Sequence, residues 1–464
     1  MTFRSLIRSM IAAGLALGLV AGNAAAQGVP PIEFSEFTLP NGLRVIVHED
    51  HSTPLVAVNV WYDVGAAHEE PGRSGFAHLF EHMLFQETEN LEAGEILRLI
   101  PAAGGTFNGT TNSDRTNYFE ILPANRLNLA LWTHRERMAK LRVNAENFAR
   151  EREVVKEERR RSYENAPYAE AVAVTLDTLL NDWPPYDHPV IGSMADLDAA
   201  TVDDVRAFYE RYYVPNNATM VIAGDVTVGE VRKLVEQYFG DIPRGPEMPP
   251  LPTPTPTPRT DGERRITVED KLATLPLIAM GFNIPPHDHP DTYALQLLSS
   301  IFSQGESSRL HQRLVKEERA ALQVVSFLNS RQGPGSFLFY ALPNQGVGLE
   351  RLEALIAEEI EKLTRDGVTE RELQKAKNQL RADQIMGRQT VFAKTEALQH
   401  YRRYHGDPAE VNRDLDRYMA VTADDIRAVA RKYLTEANRT VMTVVPQQRA
   451  AGTDAAPTSA SGAE

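Results

Sequence analysis

Along the chain, apolar positions switch repeatedly between a spacing of two and a spacing of three to four, the pattern of strands and helices mixed within one fold. From Glu36 to Asp50 an alternating run is broken at Asn41-Gly42, which predicts a β-hairpin, and Leu55 to Gly65 alternates as another strand. Helical spacing follows from Ser74 to Phe85. A glycine-rich turn and strand occupy Gly104 to Leu122, and two further helices are expected over Ala124 to Leu141 and Ala145 to Tyr163. Helices segregated from antiparallel strands predict an α+β class, with helices mainly on one face of each sheet.

The pattern also repeats. ATVDDVRAFYERYYVPNNATMVIAG, Ala200 to Gly224, aligns without gaps with VTADDIRAVARKYLTEANRTVMTVV, Val421 to Val445. Thr201/Thr422, Asp204/Asp425, Tyr212/Tyr433 and Asn217/Asn438 are among the matches. In each copy a Thr N-cap opens an amphipathic helix, a polar turn follows, and an apolar strand closes the unit. The chain therefore reads as two homologous halves, 33–243 and 264–446, around a linker at 244–263. Within the linker, PEMPPLPTPTPTP (Pro246 to Pro258) lacks the backbone donors of a helix or central strand. It is expected to be a stiff extended strap, roughly 40 Å long at about 3.1 Å per residue.

Composition narrows the function. Lys and Arg number 49 against 63 Asp and Glu, a net charge of −14, which gives no basic footprint for nucleic acid. Cysteine is absent, which excludes disulfides, a thiol nucleophile and Cys-ligated zinc, so any metal rests on His and carboxylates. Residues 1–26 read as a cleavable secretory signal: Arg4 and Arg8, an apolar run from Met10 to Ala21, then Ala24-Ala25-Ala26 before Gln27. The run is too short for a membrane anchor, and the mature protein is expected in the periplasm or outside the cell. The Ala/Ser/Gly/Thr-rich segment 447–464 is expected to be disordered.

The chemistry-bearing run is Gly75-Phe-Ala-His78-Leu-Phe-Glu81-His82-Met-Leu-Phe85. On a helix, His78 and His82 stand one turn apart with Glu81 beside them, so two imidazoles can hold one ion while the carboxylate meets its water. Some 75 residues on, Glu151 and Glu158 lie two turns apart on one face of a second helix, which can add a third ligand and a supporting carboxylate. His48, His51, His134, His287 and His289 take structural readings. His188, before Pro189, reads as a loop organiser, and Tyr118 as a core aromatic.

These residues resemble the pitrilysin/insulinase family of inverted zincins, whose H-x-x-E-H reverses the usual metalloprotease order. The likeness spans nearly the whole mature chain and includes Gly105-Thr-Phe-Asn108, Thr116-Asn-Tyr118-Phe119, His188-Pro-Val-Ile-Gly192, Tyr213-Val-Pro-Asn-Asn217 and Ser307-Ser308-Arg309-Leu310. It implies that His78, His82 and Glu158 bind Zn2+, that Glu81 is the general base, and that Glu151 supports the site from outside. Glu157 is the rival third ligand. It points about 100° away from Glu158, which shares a face with Glu151 and is preferred. The resemblance also implies a clam-like chamber and a substrate added as a strand at the edge near Gly104 to Gly109, with Asn108 as the candidate contact.

The second half lacks H-x-x-E-H. The family's Arg/Tyr pair, seven residues apart, falls here on Val315 and Leu322, or one residue on at Lys316 and Gln323. Neither register restores it. The expected protein is a zinc metalloendopeptidase acting on short or unfolded peptides, about 10²- to 10³-fold slower for want of an oxyanion donor. Its expected partner is a homologous subunit that supplies the pair, as a heterodimer, or a second copy as a homodimer. The competing readings are a narrowly specific processing protease and a non-catalytic peptide-binding or structural subunit.

Overall fold

The alternating apolar runs pair into two sheets in the computed structural model, which describes residues 29–447. The expected signal, and the expected disordered tail beyond Gln447, lie outside the described residues. The first sheet comprises β1 (Ser35–Thr38), β2 (Arg44–Glu49), β3 (Leu55–Tyr62), β4 (Thr106–Thr111), β5 (Thr116–Pro123) and β6 (Ala218–Gly224), in the order β1-β2-β6-β3-β5-β4. The second comprises β7 (Arg264–Asp270), β8 (Leu277–Ile284), β9 (Ala321–Asn329), β10 (Gly335–Pro343) and β11 (Arg439–Pro446), in the order β7-β11-β8-β10-β9. Neighbours run antiparallel except β2/β6 and β7/β11, which are parallel. In the first sheet the last strand, β6, is inserted between β2 and β3, and in the second the last strand, β11, is inserted between β7 and β8, each parallel to one neighbour and antiparallel to the other, so the duplication is visible in topology as well as in sequence.

The repeated unit folds twice in the same way. Thr201 and Asp204 form a capping box at the Val202–Tyr212 helix, and Thr422 and Asp425 form the same box at Ala423–Tyr433. Asn217 Nδ2 donates to Tyr212 O at 2.9 Å, and Asn438 Nδ2 donates to Tyr433 O at 2.7 Å, closing the turn before each final strand. At the first hairpin Gly42 takes φ +94°, a conformation that L side chains rarely adopt.

One expected element is divided. The stretch from Gly104 to Leu122 holds two antiparallel strands, β4 and β5, because Asn112 Oδ1 accepts the N–H groups of Asp114 and Arg115, both at 2.8 Å, and turns the chain. The proline-rich stretch has no regular secondary structure, and its Leu251 packs against Ala67, Trp183 and Tyr186.

Each half also lays a helix on the other's sheet. From the second half, the Val391–His405 helix packs Val391, Leu398 and Tyr401 against Ile46, Ala57, Val221 and Ala223 of the first sheet. Its Gln399 Nε2 donates to the carbonyls of Asn59 (3.0 Å) and Thr219 (2.7 Å). From the first half, Ala171, Leu176 and Leu180 cover Leu277, Ala279, Leu338, Met442 and Val444 of the second sheet. Exposing Leu176, Leu180, Val391 and Leu398 alone would cost on the order of 10 kcal/mol, so the two halves behave as one body. Among the described residues no helix is long and apolar enough to cross a membrane.

Candidate active site

The Phe76–Met83 helix forms because Phe76, Ala77, Leu79, Phe80 and Met83 bury one face in the core of the first half. That burial turns His78, Glu81 and His82 toward the cleft between the halves. Its start is held from outside: Gly75, at φ +91°, offers no side-chain cap, and the Glu69 carboxylate accepts the N–H groups of Gly75 (2.8 Å) and Ala77 (2.7 Å). Gly192, at φ +76°, presses its backbone on Gly75, where a Cβ would come within 2.6 Å of the Gly75 Cα.

The second helix, Ala145–Arg159, ends in a π-helical turn at Arg160–Glu164 and brings its last turn beside the first. Arg159 Nε donates to Gly192 O at 2.9 Å, so one loop holds both helices. Glu158 Oε2 lies 3.3 Å from His82 Nε2 and 3.8 Å from His78 Nε2. Glu151 Oε2 lies 3.7 Å from His82 Nδ1, behind the ring, and is buried. Glu157 faces solvent and pairs with Arg160 Nη1 at 3.1 Å. The geometry thus separates Glu158 from Glu157 in the direction expected from their helix faces.

Glu81 Oε2 accepts the Thr111 hydroxyl proton at 2.7 Å. Burial raises the Glu81 pKa above its ordinary value, opposed by the Thr111 hydrogen bond. Burial would lower His82, but the Glu151 and Glu158 carboxylates outweigh it and raise the ring to about 9. His78 falls to about 4 through burial and the neighbouring His82 charge.

A cavity of about 490 Å³ is lined by His78, Glu81 and Glu158, by Gly109 to Asp114 of the β4–β5 hairpin, and by Asn329, Ser330 and Arg331 of the second half. Gly109 ends the edge expected near the site, whereas Thr110 to Asp114 and Arg331 are not signalled by the sequence. Arg331 carries no motif and comes from a distant strand end. Its Nη2 sits 2.7 Å from both oxygens of Asp177, so it is already paired. Asn108 lies on β4, the edge of its sheet, but its side chain is exposed and outside the cavity lining. Val315, Lys316, Leu322 and Gln323 do not line it either. Tyr118 is core, its hydroxyl donating to Phe80 O at 3.2 Å. His134, expected on a charged helix, is instead buried with Nε2 2.5 Å from Glu120.

Ligand atoms of His78, His82 and Glu158 lie within 4.8 Å of one another, and the buried His78 Nδ1 has no hydrogen-bond partner. Two imidazoles and one carboxylate from two helices make a nitrogen/oxygen donor set suited to Zn2+, with a fourth position left for water or substrate. Fold and site together define a metallopeptidase of the inverted-motif class.

The family model described as insulinase (peptidase family M16) matches residues 44–181, and that described as peptidase M16 inactive domain matches 199–380. The zinc protease PqqE of Helicobacter pylori is 34% identical over 349 residues, 75% of this chain and 78% of that one. The crystal structure of a protease from Helicobacter pylori is similar at TM-score 0.84 and 31% identity, over 89% of this chain and 100% of that one. The periplasmic protease PqqL of Escherichia coli shares the fold at TM-score 0.74 and 20% identity, over 90% of this chain but 48% of that one. The chain belongs to the M16 family of zinc peptidases, and its metal is zinc.

Proposed function

We propose that this chain is the zinc-bearing subunit of an exported endopeptidase that hydrolyses short or unfolded peptides and is completed by a homologous subunit. The observation that carries the reading is the clustering of His78, His82 and Glu158 at one point, with His78, Glu81 and Glu158 lining a cavity beside the open edge of β4. In this reading His78, His82 and Glu158 hold the metal, and Glu151 orients His82 from behind. Zinc, when bound, polarises the peptide carbonyl and lowers the pKa of a water to about 7.

Glu81 has the environment of a general base. Burial raises its proton affinity, and Thr111 fixes one oxygen while the other takes a proton and passes it to the leaving amine. β4 pairs only with β5, so its outer N–H and C=O groups can take up an extended peptide by backbone hydrogen bonding. A strand fits that edge and a folded domain does not fit a cavity of about 490 Å³, which supports short or unfolded substrates.

Two observations support a partner. Among the described residues of the second half, the one cation lining the cavity, Arg331, is held by Asp177. The two halves are locked together by their exchanged helices, so closure over a substrate falls to a second unit. PqqL, in which this chain matches 48% of the length, has room for such a second unit within one polypeptide.

The test is hydrolysis of an unfolded-peptide pool by the zinc-loaded mature chain, alone and with a homologous subunit carrying the Arg/Tyr pair, beside Glu81→Gln. The reading expects slow cleavage alone, about 10²-fold or more stimulation by the partner, and loss of both in Glu81→Gln. Full activity alone, unchanged by the partner, overturns the partner requirement. Activity that survives Glu81→Gln overturns the mechanism.

A further inference from the structure

Outside the catalytic centre, the described residues hold one other group with metal-ligand geometry, formed by His287, His400 and His405. His287 lies just after β8, and the other two sit in the last turns of the Val391–His405 helix. His287 Nε2 faces His400 Nε2 at 3.1 Å, and a ligand nitrogen from each of the three rings falls within 4.8 Å of the others. Imidazoles sharing a tetrahedral Zn2+ at about 2.0–2.1 Å have nitrogens roughly 3.3 Å apart, so one pair is already at that spacing and the third needs a shift on the order of 1 Å.

The surroundings suit a ligand set. Among the described residues no carboxylate lies within ion-pair distance of these three rings, in contrast to His51, His134, His188 and His289, each beside one. Half-buried imidazoles, two of which meet only each other, offer lone pairs that a borderline transition-metal ion satisfies. Buried Asp414 has an Oδ1 without a partner, and its negative charge acts on His287 and His405. Arg115 and Arg417 act in the opposite sense on His400 and His405, so these ligands must outweigh some positive charge.

We propose that His287, His400 and His405 form a second metal site, separate from the catalytic centre, that takes a divalent transition-metal ion, Zn2+ above all. Two of these rings line a cavity of about 620 Å³ that shares Asn112 and Ser330 with the catalytic cavity. The His287 N–H donates to Arg331 O at 2.8 Å, and Arg331 is a wall of the catalytic cavity. An ion here ties the exchanged helix of the second half to the loop that supports that wall. Its role is structural and positional, with no part in the bond-breaking step.

The test uses the full mature chain, stripped with chelator, reloaded with Zn2+ or Co2+ and freed of loose metal by gel filtration. Metal analysis is expected to find two ions in the wild type, one in His78→Ala/His82→Ala, and none when His400→Ala is added to that pair. Zn2+ should raise the Tm of His78→Ala/His82→Ala, and that rise should vanish with His287→Ala or His405→Ala. These two replacements lie in a loop and at a helix end, so they keep the test valid if His400→Ala fails to fold. One ion in the wild type and none in His78→Ala/His82→Ala overturns the proposal. So does a second ion that survives removal of the three histidines.

Discussion

His188 Nε2 lies 2.9 Å from Glu69 Oε2, while the two oxygens of that carboxylate hold the first N–H groups of the helix bearing His78, Glu81 and His82. A buried acid, a histidine and a helix N-terminus thus form one strut that sets where the metal-binding helix begins. Removing the acid in Glu69→Ala should cost about 1–3 kcal/mol in urea unfolding and weaken zinc retention, although neither residue touches the site. Unchanged stability together with unchanged zinc affinity would count against the strut.

The same pair gives a pH dependence with a definite sign. Burial would lower the His188 pKa, but Glu69 and Asp187 raise it to about 9, above the ordinary 6.5. A group raised on folding contributes its stability fully below the unfolded pKa and loses it as pH rises through the folded one. Wild-type stability should therefore carry a decline between about pH 6.5 and 9 that His188→Gln lacks, read from urea midpoints across that range.

Glu120 of β5, wholly buried, takes the Arg137 guanidinium and the His134 ring, each at 2.5 Å. Burial would raise its pKa, but Arg137 and His134 lower it to about 2. The resulting stability is present above the unfolded pKa of 4.5 and is lost as pH falls toward 2. Glu120→Gln strands a buried guanidinium, so a loss of about 3–5 kcal/mol at neutral pH is expected by calorimetry or urea titration. A near-neutral effect would show that the ion pair is not needed for stability.

Gly109 lets β4 pass close to the general base: a Cβ there would lie 3.1 Å from Glu81 Cγ and 3.2 Å from the Phe85 ring. Gly109→Ala should displace the carboxylate while leaving the metal ligands untouched. The expected outcome is a 10- to 100-fold fall in kcat with zinc content unchanged, and equal loss of zinc would point to a wider rearrangement.

Zinc binding separates the neighbouring acids. Glu158→Gln should abolish stoichiometric zinc, Glu151→Gln should weaken it about 10- to 100-fold, and Glu157→Gln should leave it unaltered. Competition with a chelating dye measures all three on one scale.

Much of this is legible in the sequence. The His78/Glu81/His82 spacing places all three on one helical turn, and the seven-residue step from Glu151 to Glu158 puts those acids on one face, because helix geometry is local. The Thr201 and Thr422 caps and the strands after them were equally plain, since capping and alternation are written in neighbouring residues. The division of Gly104 to Leu122 into β4 and β5 is not legible there, because its Thr, Asn and Ser positions give little apolar rhythm and the turn rests on one side chain, Asn112.

The local elements, their duplication and the candidate ligands on one pair of helices are all legible in the linear chain. Folding adds that each half lends a helix to the other's sheet, that Arg331 at the wall of the catalytic cavity is held by Asp177, and that His287 meets His400 across more than a hundred residues. The physical reason is one of range. Periodicity and capping act within a turn or a strand, whereas apolar burial carries no address and is satisfied by whichever complementary face the whole chain brings near.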